Sequence, residues 1–131
     1  LIKKWLDYAK ADMEAADVLA KNPKSSWSYQ LAVWHCHQAI EKILKTVIVN
    51  NKGEAYKIHD LVRLAELSKL KFPSEFQDYI RRLNAHYILP RYPDIRHKGP
   101  ILKYNQTTAD EHLKETKRLF LWIIKELKSK K

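Results

Sequence analysis

Nine consecutive residues hold the chemistry most in need of explanation: Pro90-Arg91-Tyr92-Pro93-Asp94-Ile95-Arg96-His97-Lys98. Arginine presents a planar fork that fits a phosphate. Histidine can take or give a proton near neutral pH. Two prolines stiffen the segment, which lowers the entropy cost of holding side chains in one pose. Arg91 and His97 have five residues between them. Together they could grip an RNA backbone and help a ribose 2′-hydroxyl attack its own phosphodiester. Arg96 and Lys98 would add electrostatic attraction. The same residues also fit a structural loop, with Arg91 paired to an acid and Tyr92 filling the core.

A second polar set is Gln38, Glu41, Lys42 and Lys45, spaced by threes and fours along an apolar stretch. On a helix they form one strip, and such a strip must face water, a partner or a ligand. Glu41 and Lys45 also read as an ordinary i, i+4 ion pair worth ~0.3–0.5 kcal/mol. His35, Cys36 and His37 look like metal ligands, but neighbours on a helix diverge by ~100° and cannot converge on one ion. No second cysteine exists, so Cys36 is expected to pack as a small apolar residue, and no metal or other cofactor is expected. Arg81, Arg82 and His86 read as a solvated basic face, with Arg82 and His86 at i, i+4. His59-Asp60 precedes a short apolar repeat, and either residue could cap it. With Gly53 and Gly99 alone, a glycine-rich phosphate loop is impossible.

The elements that position these residues are helical. Two glycines and five prolines in 131 residues leave room for long helices. Ile2, Trp5, Leu6, Ala9, Met13, Ala16 and Ala20 make the stripe of a first helix over 2–21, with Asp7, Asp12, Glu14 and Asp17 mainly off it. Ser25-Ser26 is expected to cap a second helix, Trp27 to Asn50, apolar on several faces and so central. Asn50-Asn51-Lys52-Gly53 stops it. A short helix spans about Asp60 to Leu70. Pro73-Ser74-Glu75 opens a fourth, with Phe76, Ile80, Leu83 and Tyr87 as its stripe. From Leu89 to Gln106 the pattern fails, and irregular stretches of that length are often functional. Thr108 with Glu111 matches a capping box, and Leu113, Phe120, Ile124 and Leu127 carry the last helix.

The expected fold is therefore all-α: one domain over 1–131, an up-and-down antiparallel bundle of four long helices plus a short one. A lone cysteine excludes an internal disulfide and fits a reducing cytoplasm. No apolar run approaches ~18 residues, so no membrane span is expected, and the opening residues do not read as a leader. The formal charge of +10 draws polyanions, RNA above all, although lysine-rich helices can equally be no more than well solvated.

Four pieces in order resemble the HEPN family, the "higher eukaryotes and prokaryotes nucleotide-binding" domains. They are Trp5, Ala9, Asp12 and Ala16; then His37-Gln38-Ala39-Ile40-Glu41-Lys42-Ile43-Leu44-Lys45; then His59-Asp60-Leu61; then Tyr87-Ile88-Leu89-Pro90-Arg91-Tyr92-Pro93-Asp94. The resemblance implies a helical bundle, usually a homodimer, often encoded beside a minimal nucleotidyltransferase as a toxin–antitoxin pair. It also implies a metal-independent RNase motif of Arg, four to six residues, then His. Arg91 and His97 fit that window and are the candidate catalytic pair, while Tyr92 stands where the family usually has Asn, Asp or His. Gln38, Lys42, Lys45, Tyr92, Asp94, Arg96 and Lys98 are the candidate RNA- or nucleotide-binding set. Two other readings stay open: a non-catalytic module that binds a nucleotide or a nucleotidyltransferase, and a scaffold that only dimerises.

Overall fold

The computed structural model describes residues 2–54, 57–87 and 104–129. Among them are five helices and no strand: α1 Ile2–Lys21, α2 Trp27–Asn50, α3 Leu61–Ser68, α4 Ser74–Asn84 and α5 Gln106–Ser129. None of these is long and apolar enough to cross a membrane.

Helix α2 is the axis of the molecule. It touches all four other helices, and most of its side chains from Ala32 to Ile48 are buried. Helix α1 buries Ala9, Ala16 and Ala20. Small residues at this spacing let two backbones approach closely. The short link 22–26 returns the chain antiparallel, so that Asp12 meets His35 and Lys42, and Trp5 meets Lys45. The acids of α1 do not all avoid its buried stripe. Asp12 lies three residues after Ala9 and four before Ala16, and is buried with them.

The helix ends follow local chemistry, with two departures from expectation. Ser26 precedes α2 in helical conformation (φ −62°, ψ −25°) and makes no side-chain cap. Instead Ser28 Oγ accepts from Lys24 N at 3.1 Å and Ser25 N at 3.4 Å. At α5 the cap is Asn105 rather than Thr108: Asn105 Oδ1 accepts from Thr108 N (3.0 Å), and Asn105 N donates to Thr108 Oγ1 (2.9 Å). At the end of α2 the left-handed residue is Lys52 (φ 63°), not Gly53. Gly53 is required for another reason. Its N–H donates to Ile48 O at 2.8 Å, and a Cβ there would fall 2.9 Å from Ile48 Cγ2.

Helix α4 stops at Asn84, earlier than its apolar stripe suggests, so His86 and Tyr87 lie in the turn beyond it. Asp60 is the cap of α3. Its Oδ1 accepts from Val62 N (2.9 Å), Arg63 N (3.3 Å) and Asn84 Nδ2 (3.1 Å), while Asn84 Oδ1 accepts from Leu61 N (2.8 Å). One aspartate thus ties the start of α3 to the end of α4. Asp60→Ala is expected to cost about 1–2 kcal/mol, as for other lost N-caps. Urea denaturation of wild type and variant measures it through the shift in midpoint at unchanged m.

Candidate functional site

The polar strip of α2 is not a solvated face. Gln38, Glu41 and Lys45 are buried and Lys42 is half-buried. Asp12 accepts from Lys42 Nζ through one oxygen and bonds His35 Nδ1 at 2.8 Å through the other. Burial works to raise the Asp12 pKa, but the hydrogen bonds from His35 and Lys42 outweigh it and hold the carboxyl below its ordinary value. The Lys42 ammonium also sits 5.1 Å over the Tyr8 ring.

Beside it on α2, Glu41 forms a second centre. Its Oε2 accepts from Lys45 Nζ and pairs with His59 Nδ1, both at 3.0 Å. Its Oε1 faces His37 Nδ1 at 3.8 Å. The Glu41 and Lys45 side chains are each only 4% exposed. The pair is therefore a buried one, where loss of a partner is far costlier than at a surface site. Lys45 lies 5.6 Å over the Trp5 ring. Tyr87 covers this centre: its ring stacks on His59 (centroids 4.8 Å apart, planes at 13°) and leans on His37 (5.2 Å).

The three residues His35, Cys36 and His37 fan outward as helix geometry requires. His35 turns to Asp12 on α1, and His37 to Glu41 and Tyr87. Cys36 is buried beside Thr116 of α5, where burial pushes its thiol pKa up to about 12. Among the described residues no group of His, Cys, Asp and Glu is arranged to hold a metal ion.

A third polar network lies between α4 and α5, and nothing in the sequence pattern points to it. Tyr79 Oη bonds Thr116 Oγ1 (2.7 Å) and His112 Nδ1 (2.9 Å), and His86 Nδ1 bonds Tyr104 Oη (2.7 Å). The His86 and His112 rings meet edge to face at 4.7 Å. The basic face expected at Arg81, Arg82 and His86 holds for the arginines, which pair with Asp78 and Glu115 at the surface. It does not hold for His86, because α4 ends two residues earlier and the turn carries the ring inward. An open groove of about 450 Å³ between α3 and α4, floored by Leu70, Phe72 and Ile80, contains none of the candidate residues.

Of the candidate set, Gln38, Lys42 and Lys45 are brought together on α2. Arg91, Tyr92, Asp94, Arg96, His97 and Lys98 lie outside the described residues. Tyr8 is a participant that sequence reasoning missed. Trp5 and Tyr87 entered as stripe residues and through resemblance, Asp12 as an acid off the stripe and through resemblance, and His59 through resemblance or as a cap. Asp12 had a readable signal, its i+3 and i−4 spacing to buried alanines. Tyr8 had none, because its contact with Lys42 crosses between helices.

Comparison with known proteins gives this arrangement a family. The HEPN domain model matches residues 2–127. A protein named "Putative toxin MJ1304", from Methanocaldococcus jannaschii, is 26% identical over 141 residues, covering 98% of this chain and 89% of that one. The crystal structure of TT1696 from Thermus thermophilus superposes with a TM-score of 0.74 at 24% identity, covering 95% of this chain and 96% of that one. The structure of ST0689, described as an archaeal HEPN homologue, gives 0.72 at 24%, covering 96% and 97%.

Two outcomes follow from the buried groups. Burial lowers the pKa of His37 to about 4 and of His86 to about 3, and lowers that of His112 as well. The unfolded chain takes up protons on these rings below pH ~6.5, while the folded chain does not until its lower values are reached. Stability is then full above pH ~6.5 and falls as the pH drops toward 4, by about 1.4 kcal/mol per pH unit for each ring kept neutral. Urea midpoints at pH 7, 6 and 5 test this, and His86→Phe, which cannot protonate, should flatten the slope. Separately, Glu41→Ala strands the Lys45 ammonium and is expected to cost about 3–5 kcal/mol, read from the same denaturation experiment at pH 7. By the match over residues 2–127, with a fold that superposes on both solved structures, this chain belongs to the HEPN domain family.

Proposed function

We propose that this chain is a metal-independent endoribonuclease and the toxin of a toxin–antitoxin pair, acting as a homodimer and restrained by a minimal nucleotidyltransferase. The observation that carries the reading is the seat of Tyr87. It is the last described residue before 88–103, and it packs on His59 and His37 at the Glu41 centre. Tyr87 lies four residues before Arg91, so the sequence leading to the cationic segment is anchored beside the buried Glu41–Lys45 pair. The kinship to a protein named as a toxin supports the biological role.

In this reading Arg91 binds and orients the scissile phosphate, His97 moves a proton, and Arg96 and Lys98 draw the RNA in. Tyr92 and Asp94 border the same segment. Lys42 and Lys45 are already neutralised by Asp12 and Glu41. Their part, with Gln38, is to fix the floor of the site rather than to carry its free positive charge.

The test is RNA cleavage by the purified chain in EDTA. Wild type should cut, and Arg91→Ala and His97→Ala should each lose about 10²–10⁴-fold in kcat. Full activity in His97→Ala removes that residue from the mechanism. Heat of binding with ATP by calorimetry, without any cleavage of RNA, would instead make the chain a nucleotide-binding module. Light scattering at micromolar concentration checks the dimer.

A further inference from the structure

We propose that the groove between α3 and α4 docks an acidic amphipathic helix presented by a partner protein. The proposal is independent of the ribonuclease reading, since it uses none of that reading's residues.

The groove has two helical walls. Val62, Ala65 and Glu66 face it from α3, and Gln77, Ile80 and Arg81 face it from α4. Each set is spaced i, i+3, i+4, which is one face of a helix. Leu70, Lys71 and Phe72 line it from the link that joins the two helices.

These walls are held in place before anything binds. Gln77 Nε2 donates to Phe72 O at 2.8 Å. Ser68 Oγ donates to Ala65 O at 2.6 Å and accepts from Leu70 N at 3.3 Å. Phe72 and Phe76 lean on Trp122 of α5, with ring centroids 5.0 and 5.7 Å apart. At the other end of the hairpin, Asn84 ties the end of α4 to Asp60 and to Leu61 N. A preformed groove loses little freedom when it is filled.

Shape, surface and charge select the occupant. Two neighbouring helical rows leave a valley that receives the ridges of a third helix. Val62, Ala65 and Leu70 are half-buried, so aliphatic surface is left to cover. Phe72 is only 9% exposed, and nucleic-acid bases would find little ring face on which to stack. An open groove of about 450 Å³ would leave much of a small ligand wet, which small-molecule sites avoid.

The charge around the groove is positive once the pairs within it are set aside. Arg63 pairs with Glu66 at 3.4 Å, and Arg81 pairs with Asp78 at 2.7 Å. These side chains are 59–64% exposed, so each pair is weak and Arg81 can accept a second acid at small cost. Lys69 and Lys71 remain, and neither joins an ion pair among the described residues. Carboxylates on the occupant are the complement to that excess. A helix with an apolar stripe and Asp or Glu on its flanks meets the floor with the stripe. Its acids then reach Lys71 at the link and Arg81 near the end of α4.

The probe is a synthetic, staple-held helical peptide of about four turns. It carries Leu at i, i+3, i+4 and i+7, with Glu on both flanks of that stripe. Its twin has Lys in place of every Glu. Each is labelled with fluorescein and titrated with the full chain, and anisotropy reports binding. The Glu peptide should bind with Kd on the order of micromolar, and the Lys twin at least about tenfold more weakly. Ala65→Arg fills the valley from half-buried α3 and should abolish binding at an unchanged thermal midpoint. Lys71→Glu, at an exposed position, should weaken the Glu peptide about tenfold and tighten the Lys twin. Loss of fold cannot produce that reversal. Equal affinity for the two peptides, or undiminished binding by folded Ala65→Arg, overturns the proposal. So does the absence of any binding by the Glu peptide up to about millimolar chain. Saturable binding of naphthoate in the groove, seen by NMR and not displaced by the Glu peptide, would make it a small-molecule site and overturns the proposal equally.

Discussion

A carboxylate buried at the centre of α2 sets the terms for its surroundings. Glu41 is out of water, and a charge there is tolerated only with partners in place. Lys45 supplies the countercharge from the same helix, and His59 supplies a hydrogen bond from the chain ahead of α3. Through His59 and its stack on Tyr87, the charge of α2 fixes two segments that no helix–helix contact would hold: the approach to α3 and the exit from α4. Asn84 closes the same junction, its amide donating to the Asp60 carboxylate and accepting from Leu61 N.

The Asp12 centre repeats the idea on the other side of α2. Its carboxylate joins His35 and Lys42 and locks α1 to α2 at one register. Alanines give α1 its closeness to the axis, but apolar contacts are permissive about sliding. A buried aspartate with two fixed partners is not. Register fixed by one buried polar residue is the best-attested use of such groups, and Asp12 fits it. Basic side chains along α2 are thus matched one for one by carboxylates. The strong positive balance of the chain is met elsewhere, in part by Arg91, Arg96, Lys98 and Lys103 against the single Asp94 in 88–103.

The histidines show how burial divides one residue type into separate jobs. His37, His86 and His112 are pulled far enough inside that they stay neutral, where they act as shaped polar spacers. Tyr79, Thr116 and Tyr104 satisfy the α4–α5 group. His59 keeps nearly half its side chain in solvent while anchored to a carboxylate, so it links the buried charge to the surface.

The residue order by itself determined the helices. Periodicity placed α1, α2 and α5, proline and glycine marked their limits, and the apolar residues on several faces of α2 put it in the middle, because each of these depends on neighbours within a turn or two. The motif pieces, read in order, also pointed to the family that the match over residues 2–127 shows. What only the tertiary structure decided is which polar groups meet. Glu41–Lys45 reads as a surface pair until α1 and Tyr87 are seen to cover it. His86 reads as solvated until α4 ends at Asn84. His59 reads as a cap until α2 brings Glu41 to its Nδ1, 18 residues away in the chain. Burial and partnership across helices are sums over distant residues, and a local pattern carries no record of them.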